Sequence, residues 1–395
     1  MSQMNRRRAL QLLAALGTTG FAAGCGSDSE ADPTANLSPV KIGLVTPQSG
    51  GFKSIGDDIT NGFQLFLDLH DQRLGGHPVS LLTADEGDDA KSGKAAVDDL
   101  LKQGVLALTG VVNSSVMVAI RDTVEQARVP LIGSNASPSS LQSVFYIWRT
   151  SYVLDEAGRA LGRYLRDKLP ANGRVAIIMP ENVGSSDVVR GFRQEFGATD
   201  PRIADPVTYT NGTPDPRKST YVADINKALA KRPTAVFCFF AGAAAVEFIK
   251  QLREEYSGPV YAPGFLTEGT VLESLKNDGL GIQTALNYSA DLNNTSNRVF
   301  ASSYRKKYQV TPTTYAMASY DAAQVLDQAI RLTGGKPNSQ QVNLALGKIG
   351  QIDSPRGIWQ FNQPRTPQQK WYLREVQRDG QVMSNVLINE LATLG

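Results

Sequence analysis

The sequence predicts an α/β protein of two doubly wound parallel-sheet lobes, and three observations carry that prediction. Short apolar strands alternate with helices from residue 41 onward. The alternation restarts at residue 174, after a first set of four strands. The length, 395 residues, suits two or three domains of about 100–200 residues, each with its own core.

The first half opens on strand 41–47 (KIGLVTP), punctuated by Gly50 and Gly51. A helix follows, with Ile55, Ile59, Phe63, Phe66 and Leu67 spaced along one face. Strand 78–82, helix 91–102, strand 105–108, helix 115–126 and strand 130–132 continue the pattern. Strands separated by helices of this length imply βαβ units and a parallel sheet. The second half repeats it with strand 174–179 (RVAIIM), helix 186–196, strand 202–209, helix 221–231, strand 234–240, helix 243–255 and strand 260–261. Helices 297–308, 315–333 and 339–346 then precede strand-like runs at 358–361, 371–377 and 382–388. In such sheets a cleft is expected at the carboxyl ends of the strands.

Composition and motifs narrow the function. A formal charge of +2, from 40 Lys and Arg against 38 Asp and Glu, argues against nucleic-acid binding. Two cysteines cannot build a disulfide framework or a Cys-rich zinc site. His70 and His77, separated by the Gly75-Gly76 turn, make a poor ligand pair and are expected at the surface or behind another group. No metal and no cofactor is expected. The chain carries no G-x-G-x-x-G after its first strand, no phosphate-binding G-x-x-x-x-G-K-[ST] and no G-x-S-x-G elbow. Cys238 lies in an apolar strand run and reads as a buried, inert thiol. An exported α/β enzyme therefore has no candidate catalytic residues.

Residues 1–24 read as an export signal. Arg6, Arg7 and Arg8 precede an uncharged, mostly apolar stretch to Ala23, too short for a span that needs about 20 apolar residues. Ala22, Ala23 and Gly24 lead into Cys25, which resembles the bacterial lipoprotein signal, where the chain is cut before Cys and a lipid is attached to its thiol. An ordinary cleaved signal, or a start codon assigned too early, is the alternative. Arg6 to Leu10 also resembles a twin-arginine signal, so the export route and the membrane that holds the anchor stay open. Residues 25–39 would be a lipidated polar tether, with an r.m.s. span of about 20 Å. Losing residues 1–24 removes three arginines and no acid, leaving 37 basic against 38 acidic residues, a net −1. The small basic excess thus belongs to the signal.

Two strand ends carry binding chemistry. The stretch 109–115 (TGVVNSS) runs into a helix whose start offers N–H groups and a positive dipole end, with Ser114 and Ser115 adding hydroxyls. Simple N-capping is the competing role. The loop 133–138 (GSNASP) follows the next strand, and together the two make a candidate carboxylate cradle.

In order through nearly the whole mature chain, several stretches resemble one family. KIGLVTPQSGGFKSIGDDITNGFQLFLD, LLTADEGDDAKSGKAAVDDLLKQGVLALTGVVNSS, VPLIGSNASPSSL and YAMASYDAAQVLDQAI are similar to type I periplasmic solute-binding proteins of the branched-chain amino-acid uptake family. That resemblance implies two lobes joined by three crossings, 40–152 plus 289–354 and 153–288 plus 355–395, closing on a small ligand. It implies no enzymatic activity. By position, Ser114 or Ser115 with Ser137 would hold a carboxylate, and Asn135 would offer a backbone carbonyl to an ammonium.

The second-lobe positions depart from the family. Val183 stands where a tyrosine precedes Gly184, and Ala243 and Ala244 replace an aromatic pair. Leu266 falls where an acid meets the ammonium, with Glu268 two places on, so whether Glu268 reaches the ligand is open. Phe52, Phe240, Phe265 and Tyr288 are candidate ring contacts, and Arg149 is expected in a structural ion pair. The stretch FCFFAGAAAVEFIKQ also resembles members associated with aromatic carboxylates. The resemblance implies a monomeric, exported, lipid-anchored protein that delivers a small carboxylate to the membrane permease of an ABC importer, as a branched-chain or related amino acid or as an apolar aromatic acid. A ligand-sensing receptor module on the same fold is the alternative class.

Overall fold

Strand Val40–Thr46 (β1) is buried along almost its whole length, as a central parallel strand covered on both faces must be. It opens the computed structural model, which describes residues 37–141, 143–210 and 220–395. The export signal, Cys25 and most of the tether lie outside the described residues. The chain continues through α1 (Lys53–Leu69), β2 (Arg73–Leu74), β3 (His77–Asp85), α2 (Ala90–Lys102), β4 (Ala107–Gly110), α3 (Ser114–Ala127), β5 (Leu131–Gly133) and β6 (Ile147–Arg149). These strands form one sheet in the order β2-β3-β1-β4-β5-β6, parallel except for β2.

The second sheet follows α4 (Leu154–Lys168). It is built with β7 (Val175–Pro180), α5 (Val183–Phe196), β8 (Ile203–Thr210), α6 (Val222–Leu229), β9 (Ala235–Cys238), α7 (Gly242–Glu255), β10 (Val260–Pro263), α8 (Thr270–Leu275) and β11 (Gln283–Leu286). The chain then returns to the first sheet through α9 (Thr295–Tyr308), α10 (Thr314–Thr333) and α11 (Ser339–Leu346). It ends with β12 (Gln351–Ser354), β13 (Gly357–Phe361), β14 (Pro367–Asp379) and β15 (Val382–Leu394). The second sheet runs β12-β13-β14-β11-β10-β9-β7-β8, with β15 paired to β14. The protein is thus an α/β molecule of two lobes. In each sheet the strand order reverses beside the first strand, between β1 and β4 and between β7 and β9, which is where such folds place a ligand.

Helices α4 and α8, strands β2, β6, β11 and β12 and the far end of β15 are absent from the sequence reading. Helix α4 buries Leu154, Ala157, Ala160, Leu161 and Leu165 at helical spacing, but charged residues fill its other face. Its Gly158 and Gly162 let α5 approach: a Cβ at either would come within 2.1 Å of the Val188 carbonyl oxygen or 2.4 Å of that of Phe192.

The segments linking the sheets are tied together by a buried polar knot. Asn287 donates to the Ser151 carbonyl oxygen (2.9 Å) and to Gln369 Oε1 (2.8 Å), and accepts from Thr314 Oγ1 (3.0 Å). Arg356 donates to the carbonyl oxygens of Thr150 and Ser151, to Gln369 and to Asp321. Asp321 also accepts from Ser354 Oγ (2.8 Å) and Trp359 Nε1 (3.1 Å).

Candidate ligand-binding cavity

Both switch points open onto one cavity of about 310 Å³. The end of β1 leads to Phe52, β4 to Val112 and the start of α3, β7 to Asn182 and the start of α5, and β9 to Phe239 and the start of α7. Three helix N-termini therefore meet at the cavity, and none of α3, α5 or α7 carries an acid in its first turn to offset the dipole. Asn113 and Asn182 cap α3 and α5 through Ser115 N–H (2.8 Å) and Ser185 N–H (2.9 Å). Capping thus falls to these asparagines, and the hydroxyls of Ser114 and Ser115 have no partner among the described residues. Helix α7 has no side-chain cap at all.

The rest of the wall is aromatic. Phe265 lies 5.0 Å from Tyr152, 6.0 Å from Phe239 and 6.1 Å from Tyr315, centroid to centroid. Phe52, Ile55 and Leu154 complete the apolar surface. Burial holds the Tyr152 and Tyr315 hydroxyls well above the ordinary phenol range, so both stay neutral. No Asp, Glu, Lys, Arg or His lines the cavity among the described residues.

Of the residues singled out in the sequence, the structure brings Phe52, Ser114, Ser115, Asn135, Val183 and Phe265 to this wall, together with Phe240. Four others lie elsewhere. Ser137 is fully buried behind the wall, its hydroxyl without a partner. Ala243 faces away, and Ala241 and Ala244 supply the contacts of that turn. Leu266 packs into the core among Val260, Ala262 and Val271, because the tight turn Gly264–Thr267 sends successive side chains to different sides. Tyr288 packs with Phe300 and Tyr304 and donates to Asn297 Oδ1 (2.9 Å).

Glu268 does not line the cavity. It is buried against Arg374 (2.7 Å) and accepts the Thr314 N–H (2.8 Å), at the edge of a separate groove. Both acceptor oxygens of Asn135 are already engaged: its carbonyl oxygen takes Ser151 Oγ (3.0 Å) and its Oδ1 takes the Tyr152 hydroxyl (2.8 Å). Arg149 makes no ion pair among the described residues, but caps the carbonyl oxygens of Leu141 (2.8 Å) and Pro364. His77 is buried at the start of β3 rather than at the surface, bonded to the Ser38 carbonyl oxygen. Cys238 is buried, and burial pushes its thiol far up, as an inert core cysteine requires.

Sequence reasoning missed Tyr152, Phe239 and Tyr315. The run 234–240 reads as strand to its end, whereas β9 stops at Cys238 and frees Phe239 to turn inward.

Two contacts outside the cavity lining join segments of the two lobes. Asp187 on α5 accepts from the N–H (2.8 Å) and hydroxyl (2.7 Å) of Ser139, which lies between β5 and β6, while Arg190 pairs with Asp187 (2.9 Å). Gly242, at φ +58°, opens α7 so close to the first sheet that a Cβ would fall 2.6 Å from the Gly51 carbonyl oxygen. Asp187→Ala is expected to speed release of a bound solute about tenfold, since two hydrogen bonds to a charged group are lost. Stopped-flow displacement measures this, and an unchanged release rate would exclude Asp187 as a clasp.

A family model described as periplasmic binding protein matches residues 39–381. The chain belongs to the type I periplasmic binding proteins of the branched-chain amino-acid family. Among curated relatives, a Leu/Ile/Val-binding protein homolog 6 of Brucella melitensis is 26% identical over 349 residues, covering 85% of this chain and 87% of its own. A solute-binding protein of an ABC transporter from R. palustris, solved in complex with benzoate, is 27% identical with a TM-score of 0.82, covering 90% of this chain and 97% of its own. The leucine-binding protein LivK of Thermotoga maritima, 19% identical with a TM-score of 0.78 over 89% of this chain and 99% of its own, shares the fold. This periplasmic binding protein is a solute-binding component of an ABC transporter, and members of its family bind solutes without converting them. Membership implies export to the periplasm; among the described residues no helix is long and apolar enough to cross a membrane.

Proposed function

We propose that the cavity captures an apolar, ring-bearing monocarboxylate of the benzoate class and that the protein delivers it to the permease of an ABC importer. The observation that carries this reading is the wall itself: three helix N-termini without an acid in their first turns and two free serine hydroxyls beside six rings, with no acidic side chain lining the cavity among the described residues. A carboxylate would be met by dipoles and donors. An α-ammonium would have to be buried with no counter-charge, at a cost of several kcal/mol. The benzoate carried by the 27%-identical relative supports the same class. The chain would act as a monomer with lobes 40–152 plus 289–354 and 153–288 plus 355–395, held to a membrane by a lipid on Cys25. Its ligand would favour the form in which Asp187 reaches Ser139.

A thermal-shift panel of benzoates and of leucine, isoleucine and valine tests this. A ligand at 100 times its Kd adds about 2.7 kcal/mol of stability, a shift of several degrees. Benzoates are expected to shift the midpoint and the amino acids to leave it unchanged; the reverse would reject the reading.

A further inference from the structure

Behind the cavity wall sits a carboxylate that neither the fold nor the ligand contacts account for. Glu86, just past the end of β3, is fully buried. It accepts the N–H groups of Val112 (2.7 Å) and Asn113 (2.6 Å), and among the described residues no cation pairs with it. Those two residues end the loop that delivers Ser114 and Ser115 to the cavity. The loop is strained: Val111, a β-branched residue, sits at φ +65°, a region that L side chains avoid. The Val112 carbonyl oxygen in turn accepts from Asn135 Nδ2 (3.0 Å), whose Oδ1 takes the Tyr152 hydroxyl. Glu86 thus anchors one end of a chain of bonds that runs along the cavity wall, without touching the cavity itself.

We propose that Glu86 is the positioning residue of the carboxylate cradle, and that it takes up a proton from solvent when an anionic ligand enters. The inference rests on the reading of the site as a carboxylate cradle. Two negative groups would then share one loop and one helix N-terminus, the ligand in front and Glu86 behind. Neutral, Glu86 still accepts the loop's N–H groups through its oxygen lone pairs, so positioning survives protonation.

Burial already pushes Glu86 up to about 7 against the lowering effect of the two N–H bonds. Asp85 at the end of β3 acts in the same direction. Asp88 and the α2 cap Asp89 follow on the same loop, and Lys91 is the second residue of α2. The end of β1 brings the uncharged Thr46 and Gln48, and the first turn of α3 holds neither acid nor base. A ligand's charge raises the group further, so affinity is highest below pH 7 and falls as pH rises through the free value towards the bound one.

The test is calorimetric titration of the full mature chain with benzoate between pH 6 and pH 9, for the native protein and Glu86→Gln. A one-unit rise on binding predicts that the native Kd weakens by about tenfold across this range, while the variant's stays constant within about twofold. In buffers of different ionisation heat, the native protein at pH 7.5 should take up a fraction of a proton, a result that does not depend on the variant folding. A flat native Kd with no proton uptake, or an equal slope in Glu86→Gln, overturns the inference and leaves the ligand reading intact. No benzoate binding at any pH rejects both.

Discussion

Arg356→Ala is expected to destabilise the protein by about 3–5 kcal/mol, the range for breaking a buried charge pair by removing one partner. Both members of the Arg356–Asp321 pair are buried, at 3% and 0% exposure. Arg356 also satisfies the carbonyl oxygens of Thr150 and Ser151, where the chain leaves the first sheet, and reaches Gln369 on β14. Truncation therefore leaves the buried Asp321 carboxylate without its counter-charge and the Thr150 carbonyl oxygen without this donor. Burial drives the two groups in opposite directions, Asp321 up and Arg356 down, so each depends on the other to stay charged. Urea unfolding measures the loss. A change below 1 kcal/mol would mean that the knot does not hold the linking segments.

Phe265→Ala should weaken benzoate binding about 30- to 100-fold. Phe265 is 3% exposed and packs against Tyr152, Phe239 and Tyr315, so it is the central ring of the aromatic wall. Burying a ring against it is worth about 2–3 kcal/mol, from apolar area together with ring–ring geometry. The same truncation opens space in a packed wall and lowers folding stability, so affinity must be measured well below the variant's midpoint. Phe265→Leu, which keeps the apolar contact but not the ring, should lie between the two. Equal affinities for all three proteins would place the ligand elsewhere.

What was legible in the sequence was whatever repeats with a period. The buried stripe of α1 and the mostly apolar β1 announce themselves because each faces a core along nearly its whole length. Helix α4 hid because its exposed face is charged and two glycines replace the apolar residues that would have marked its contact with α5. Strand β11, only four residues with a polar Gln283 and Thr284, has no periodicity to read. The part of the wall formed by Ser114 and Ser115 was legible because a strand end, a serine pair and a helix start are contiguous. The aromatic wall was legible only in part: Phe52, Phe240 and Phe265 were singled out, but Tyr152, Phe239 and Tyr315 come from distant stretches that only the tertiary fold brings beside them. Leu266 and Tyr288 show the converse: position along the chain cannot say which way a side chain turns out of a tight turn or a strand end.

The central claim is that the cavity accepts a carboxylate attached to a ring and refuses one that carries an ammonium beside it. Isothermal titration of the mature chain with benzoate and with L-leucine, under identical conditions, tests it most directly. The account predicts saturable benzoate binding at one site per chain and affinity for leucine at least 100-fold weaker, since about 2.7 kcal/mol of unpaired-charge penalty already gives that factor. Leucine binding as tightly as benzoate, or more tightly, would contradict it.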